Sequence, residues 1–254
     1  MDLGLKGRKV LVTGASRGIG KAIAEVFAEE GCDLALCARG KETLEQFAGE
    51  LRSGGRTVVT EAVDVSDETA IAGFVDTAAA ELGGLDIVIS NVSAGGLKGA
   101  DQWETSFRAD LLAFVRLAES AVPHLERSDA ASIVAVGTTS AFDTLPPTSA
   151  NSYAALKAAV LQHASGLGHS LAPKGIRVNT VSPGPIDFPG GAWDKLHESR
   201  PEFYEGIRSR IPIGRLGRAD DVARAVVFLA SPAAAFCTAN NLVVDGGFVS
   251  RVQF

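Results

Sequence analysis

Short apolar runs recur along the chain, separated by stretches in which apolar positions fall three and four residues apart. The runs at 9–12, 33–37, 57–62, 87–90, 133–137, 177–181 and 241–244 are near-continuous rather than alternating. A strand covered on both faces needs apolar side chains on both, so these runs predict strands of a parallel sheet enclosed between helical layers. The stretches between them carry helical stripes. Ile19, Ile23, Val26 and Phe27 share one face, and Gly31 stands where a cap glycine ends a helix. Ile71, Phe74, Val75 and Ala78 form a second stripe, and Val222, Ala225, Val226 and Leu229 a third. The two kinds of segment alternate without a linker, low-complexity tract or repeat. The pattern predicts one domain over residues 1–254, of the α/β class: a Rossmann-like, doubly wound parallel sheet of about seven strands with helices on both faces.

Composition narrows the function. With 254 residues and 46% hydrophobic positions the chain can bury a sizeable core. A net charge of −6 argues against nucleic acid or an anionic membrane as the main partner. Cys32, Cys37 and Cys237 are odd in number and lack metal-ligand spacing, which reads as buried free thiols in a reducing compartment. His124, His163, His169 and His197 form no metal-binding pair, so no metal site is expected. The N-terminal run leads straight into a glycine turn rather than a cleavage site, and no run reaches the ~18 apolar residues of a membrane span. The expectation is a soluble, cytoplasmic protein.

The first strand runs into Thr13-Gly14-Ala15-Ser16-Arg17-Gly18-Ile19-Gly20, which opens the first helical stripe. Strand, glycine turn and helix N-terminus together make an anion site: open N–H groups, a positive dipole end and glycines that allow close approach. Alone, the turn would also serve as a tight strand-to-helix connection. The end of the second strand bears on the cofactor. An acid there would meet the ribose 2′-hydroxyl of NAD, but Cys37-Ala38-Arg39-Gly40-Lys41 has none. Arg39, with Arg17 in the glycine turn, is suited to fork onto a 2′-phosphate, which points to NADP(H); the other reading has Arg39 and Lys41 merely solvating a loop.

Tyr153 and Lys157 stand four apart at the start of the helix after the fifth strand, on the sheet edge where doubly wound folds bind ligands. A free phenol is a poor base at neutral pH. A nearby ammonium stabilises the phenolate and brings it toward working pH.

The glycine turn, the Tyr153–Lys157 pair and Val243-Val244-Asp245-Gly246-Gly247, in this order and at these distances, resemble the short-chain dehydrogenase/reductase family over nearly the whole chain. The resemblance implies cofactor contacts at Gly14, Ser16, Arg17, Gly18, Ile19 and Gly20, adenine contacts at Asp64 and Val65, and a nicotinamide-side wall from Pro183, Gly184 and Ile186. It implies that Tyr153 moves the proton, that Lys157 also holds the ribose, and that Ser90 and Asn91 run beside that ribose in a turn where the family usually has Asn-Asn-Ala-Gly. A hydroxyl should steady the substrate oxygen. Counting back from Tyr153 selects Ser140, while aligning the strand selects Thr138, and both are retained. Asp110 stands where the family has a tetrad asparagine; its function is left open. A threonine of the family's pyrophosphate site is Phe188 here. Residues 187–215 correspond to a substrate lid, with Phe188, Trp193, Phe203 and Tyr204 as candidates to cover an apolar substrate or simply to pack.

The expected protein is an NADP(H)-dependent oxidoreductase interconverting a carbonyl and a secondary alcohol, with a small-molecule substrate such as a 3-oxoacyl thioester or ketone, and the resemblance suggests a homotetramer. The alternative is a non-catalytic NADP(H)-binding regulator, motivated by the altered turn and Asp110. A sugar epimerase would need a C-terminal substrate domain for which no length remains.

Overall fold

The sheet is built from β1 (Lys9–Thr13), β2 (Asp33–Ala38), β3 (Val58–Ala62), β4 (Ile87–Ser90), β5 (Ser132–Val136) and β6 (Arg177–Pro183), with β9 (Asn241–Val244) at one edge; β7 (Ile186–Asp187) and β8 (Gly217–Arg218) pair separately. This is a computed structural model of the chain, and it describes residues 1–96, 99–148 and 150–250. The strand order is β3-β2-β1-β4-β5-β6-β9, all parallel, with Val10 facing Leu34 on one side and Ile87 on the other. The chain winds outward from β1 to β3, then returns to β4 on the far side of β1. The crossovers diverge there, so a crevice opens at the carboxyl ends of β1 and β4.

Alternate residues serve opposite faces. Val10, Val12, Ile87, Ile89 and Val134 point into one layer, packed by α1 (Gly18–Glu29), α2 (Lys41–Ser53) and, from the far end of the chain, α9 (Ala219–Ala230). Leu11, Val88, Ile133 and Ala135 point into the other, beneath α3 (Glu68–Leu82), α5 (Ala113–Leu125) and α6 (Ser152–Leu171). Phe27, Phe74 and Phe114 are fully enclosed in these layers, each contributing roughly 1.5–3 kcal/mol of burial. The remaining helices are short: α4 (Gln102–Ser106), which passes through a π-helical turn (Phe107–Leu112) into α5, and α7 (Ala192–Ser199) and α8 (Pro201–Arg208) between β7 and β8.

The expected doubly wound sheet is present, its strands within two residues of the apolar runs. The β7–β8 pair was not expected, because two-residue strands carry no periodicity. Gly31 ends α1 at φ +88°, with Cys32 N–H donating to Phe27 O and Gly31 N–H to Ala28 O. Asp67 caps α3, its carboxylate accepting from Thr69 N–H and Ala70 N–H. Cys32 and Cys37 are buried and Cys237 is half-buried, none in a disulfide. Burial pushes both enclosed thiols up to about 12. No helix among the described residues is long and apolar enough to cross a membrane.

Candidate active site

The glycine turn is held by its neighbours rather than by its own side chains. Gly14 N–H and Ala15 N–H both donate to Cys37 O, at 2.8 and 3.1 Å, which ties the turn to the end of β2. Asn91, just past β4, donates its side-chain amide to Thr13 O and Gly14 O at 3.1 and 3.2 Å, while its backbone N–H donates to Thr13 Oγ1 at 3.0 Å. Helix α1 then starts directly on the turn: a Cβ at Gly20 would collide with Gly14 O. Arg17 precedes α1 in extended conformation, and no side chain caps the first turn, so its N–H groups are open to a ligand.

That turn floors a cleft of ≈730 Å³. Gly14, Ser16, Arg17, Ile19 and Gly20 line its centre. Arg39 lies along one side with Asp64 and Val65, while Asn91 and Val92 lie on the other. Arg17 and Arg39 are exposed. Asp64 Oδ1 accepts from Ser66 N–H and Ser66 Oγ, which hold its carboxyl below the usual range. Gly18 lies under the Phe188 ring, where a Cβ would come within 2.7 Å. A long cleft, a cradle that side chains would fill, an uncapped helix N-terminus and two guanidinium groups fit a phosphorylated dinucleotide.

A second cleft of ≈220 Å³ shares Ile19, Asn91, Ser93 and Phe188 with the first. Val136, Gly137 and Thr138 leave β5 along one wall; Pro183, Gly184 and Ile186 form the opposite wall. Tyr153 and Lys157 enter from α6, whose first turn is capped by Asn151 Oδ1 accepting from Ala154 N–H at 2.8 Å. Thr138 lines this cleft with Tyr153 and acts on its phenol, and the Thr138 hydroxyl accepts from Ser140 N–H at 3.2 Å. Ser140 Oγ instead accepts from Thr148 Oγ1 at 3.1 Å and does not line the cleft. Thr138, then, is the hydroxyl brought to Tyr153; the count that selected Ser140 assumed a loop of fixed length. Ser90 ends β4 without lining either cleft, and Asn91 reaches both.

Lys157 is buried, donates to Val136 O at 3.0 Å and lies 3.5 Å from Asp110 Oδ1. Burial pushes the ammonium below the usual lysine range, and Asp110 opposes that. The Tyr153 phenol stands above its ordinary value rather than below it. Burial is the main cause and Asp110 adds to it, with the Thr138 hydroxyl acting the other way. Asp110 sits in the π-helical turn, and nothing in the local sequence signals that it meets Lys157.

Residues 187–215 divide in two. Phe188 and Trp193 face the smaller cleft. Phe203 and Tyr204 turn away and pack with Ile207, Ile211, Leu216 and Phe248. The Trp193 and Phe203 rings stack at 6.2 Å between centroids, and Tyr204 Oη donates to Asp187 Oδ2 at 2.9 Å. Three of the four aromatics thus build the lid's own core, Trp193 from the side that also faces the cleft. Thr105 and Arg108 also line the larger cleft, and no sequence motif marked them.

Comparison with known proteins agrees with this geometry. The family model described as enoyl-(acyl carrier protein) reductase matches residues 14–249. Isoepoxydon dehydrogenase of Penicillium expansum is 40% identical, covering 100% of this chain and 99% of its own. The 3-oxoacyl-[acyl-carrier-protein] reductase of Vibrio harveyi is 32% identical over 96% of this chain and 98% of its own. A short-chain dehydrogenase from Burkholderia cenocepacia, solved in complex with NADP, superposes with a TM-score of 0.87 at 33% identity, covering 96% of this chain and 99% of that one. Sequence, fold and relatives over the full length converge: the chain belongs to the short-chain dehydrogenase/reductase family and is an oxidoreductase acting on carbonyl and alcohol groups.

Proposed function

We propose that this protein is an NADP(H)-dependent reductase of compact ketones, reversible as a secondary-alcohol dehydrogenase. The observation that carries the proposal is the convergence of Thr138, Tyr153 and Lys157 on a small cleft that opens from a dinucleotide-sized one. When bound, the nicotinamide supplies or accepts the hydride. Tyr153 Oη gives the carbonyl oxygen its proton, and the Thr138 hydroxyl hydrogen-bonds the same oxygen as charge develops on it. Lys157 holds the ribose. Ile19, Pro183, Gly184 and Ile186 wall the ring, and Phe188 and Trp193 exclude water above it. Gly14 to Gly20 receive the pyrophosphate on the N-terminus of α1, and Asp64 and Val65 flank the adenine. Arg17 and Arg39 meet the 2′-phosphate, a reading in keeping with the NADP held by the Burkholderia relative. A homotetramer formed through α5, α6 and β9 belongs to the same proposal, and light scattering tests it.

The small volume beside Trp193 favours a compact ketone. A 3-oxoacyl thioester is the second reading, favoured by the Vibrio relative. The deciding experiment measures NADPH and NADH binding by fluorescence on wild type and Arg39→Ala, then turnover of a ketone and acyl-thioester panel. Loss of charge-assisted bonds at Arg39 is expected to weaken NADPH about ten- to a hundredfold and to leave NADH unchanged. A preference for NADH, or an Arg39→Ala variant with unaltered NADPH affinity, overturns the cofactor assignment. A Tyr153→Phe variant with wild-type turnover would overturn the reaction and return the non-catalytic alternative.

A further inference from the structure

The Asp110 side chain is wholly enclosed, and neither of its oxygens has a hydrogen bond. A buried carboxylate without donors is costly unless a cation compensates it, and Lys157, 3.5 Å away and itself buried, is that cation. The π-helical turn Phe107–Leu112 aims Asp110 at α6; Ser106, one residue before it, reaches the same helix through Ser152, Oγ to Oγ 2.9 Å. Among the described residues no other charged side chain acts on Tyr153 or Lys157. Glu104 of α4 pairs at the surface with Arg108, Arg116 of α5 pairs with Glu68 and Glu119, and His163 of α6 sets its ring edge-on to Phe114.

We propose that Asp110 is a positioning residue that cancels the charge of Lys157 as felt by Tyr153, so that the phenol stays protonated at neutral pH and the site is set to donate a proton. An isolated ammonium beside Tyr153 would favour phenolate. Paired with a carboxylate at 3.5 Å it acts on the phenol as a dipole, whose field falls off faster than that of a single charge. The position of Tyr153 above its ordinary range agrees with this. Resting on the reductase reading, the consequence is directional. In reduction, hydride from the reduced nicotinamide dinucleotide forms the new C–H bond while the carbonyl π pair moves to oxygen. The Tyr153 O–H bond breaks as its proton reaches that oxygen, and solvent reprotonates the phenolate. Alcohol oxidation must start from the phenolate and is displaced to alkaline pH.

Tyr153 and Tyr204 are the only tyrosines in the chain, so a Tyr204→Phe background leaves one phenol to titrate. Its phenolate absorbance is followed against pH without substrate or cofactor, in that background and with Asp110→Asn or Asp110→Ala added, each checked for folding by circular dichroism. Both Asp110 variants are expected to lower the midpoint by about one pH unit or more. In turnover assays on Asp110→Asn, ketone reduction then declines at lower pH and alcohol oxidation begins at lower pH. A midpoint that stays or rises overturns the proposal. The titration needs no turnover, so it judges Asp110 even if Tyr153→Phe has refuted the reductase reading.

Discussion

The Asn91 amide spans two carbonyls of the glycine turn, donating to Thr13 O and Gly14 O, and so joins the end of β4 to the end of β1 across the switch point of the sheet. Its main work is to hold the turn in the shape a phosphate needs. Asn91→Ala is expected to lower unfolding stability by about 1–2 kcal/mol and to weaken dinucleotide binding. Asn91→Asp, which sets a carboxylate against two carbonyls, should do more damage. Urea unfolding and fluorescence titration check both effects. An Asn91→Ala variant with unchanged affinity would show that the turn keeps its shape without the amide.

Thr138 and Ser140 are two residues apart but differently employed: one hydroxyl meets Tyr153, the other Thr148. Thr138→Ala is expected to lower kcat for ketone reduction by about a hundredfold, the scale of losing one donor to a developing oxyanion. Ser140→Ala should stay within a few fold of wild type. The reverse ranking would restore Ser140 as the partner.

Arg177, at the start of β6, donates to Leu229 O, Ala230 O, Ser231 O and Cys237 O and so satisfies the carboxyl end of α9. Burial pushes its guanidinium below the usual range, and the four carbonyls are what its donors gain in return. Arg177→Ala takes the guanidinium donors from Leu229 O and Ala230 O, while Ser231 O keeps Ala234 N–H and Cys237 O keeps the Asn179 amide, and is expected to cost about 2–3 kcal/mol. Arg177→Lys, with a single donor head in place of a fork, should recover only part of that. Chemical denaturation decides it.

Tyr204 is pushed up to about 12, first by burial and then by its hydrogen bond to Asp187. The unfolded chain ionises this phenol near pH ~10 and the folded one does not. Its contribution is therefore fully present below pH ~10 and is lost as pH rises toward about 12. The stability difference between wild type and Tyr204→Phe should shrink across that window, as read by urea unfolding at several pH values. A difference independent of pH would mean that the phenol titrates alike in both states.

The sequence alone determined the layered sheet, because each strand is buried on both faces and the continuous apolar runs at 9–12 or 133–137 have no other use in a folded chain. It also determined the glycine turn and the Tyr153–Lys157 pair, since four-residue helical spacing and strand–glycine–helix order are local facts. What lay beyond it were encounters between distant segments. Thr138 rather than Ser140 meets Tyr153 because the chain leaving β5 turns at Thr138, and counting residues through a loop does not reveal its path. Asn91 grips Gly14 because β4 lies beside β1. Phe203 and Tyr204 fold inward while Trp193 faces the cleft, since two eight-residue helices bury one face against each other and only packing selects it. Asp110 meets Lys157 for the same reason. Forty-seven positions along the chain, they are brought to 3.5 Å by a π-helical turn packed on α6, and the field at Tyr153 follows from that distance.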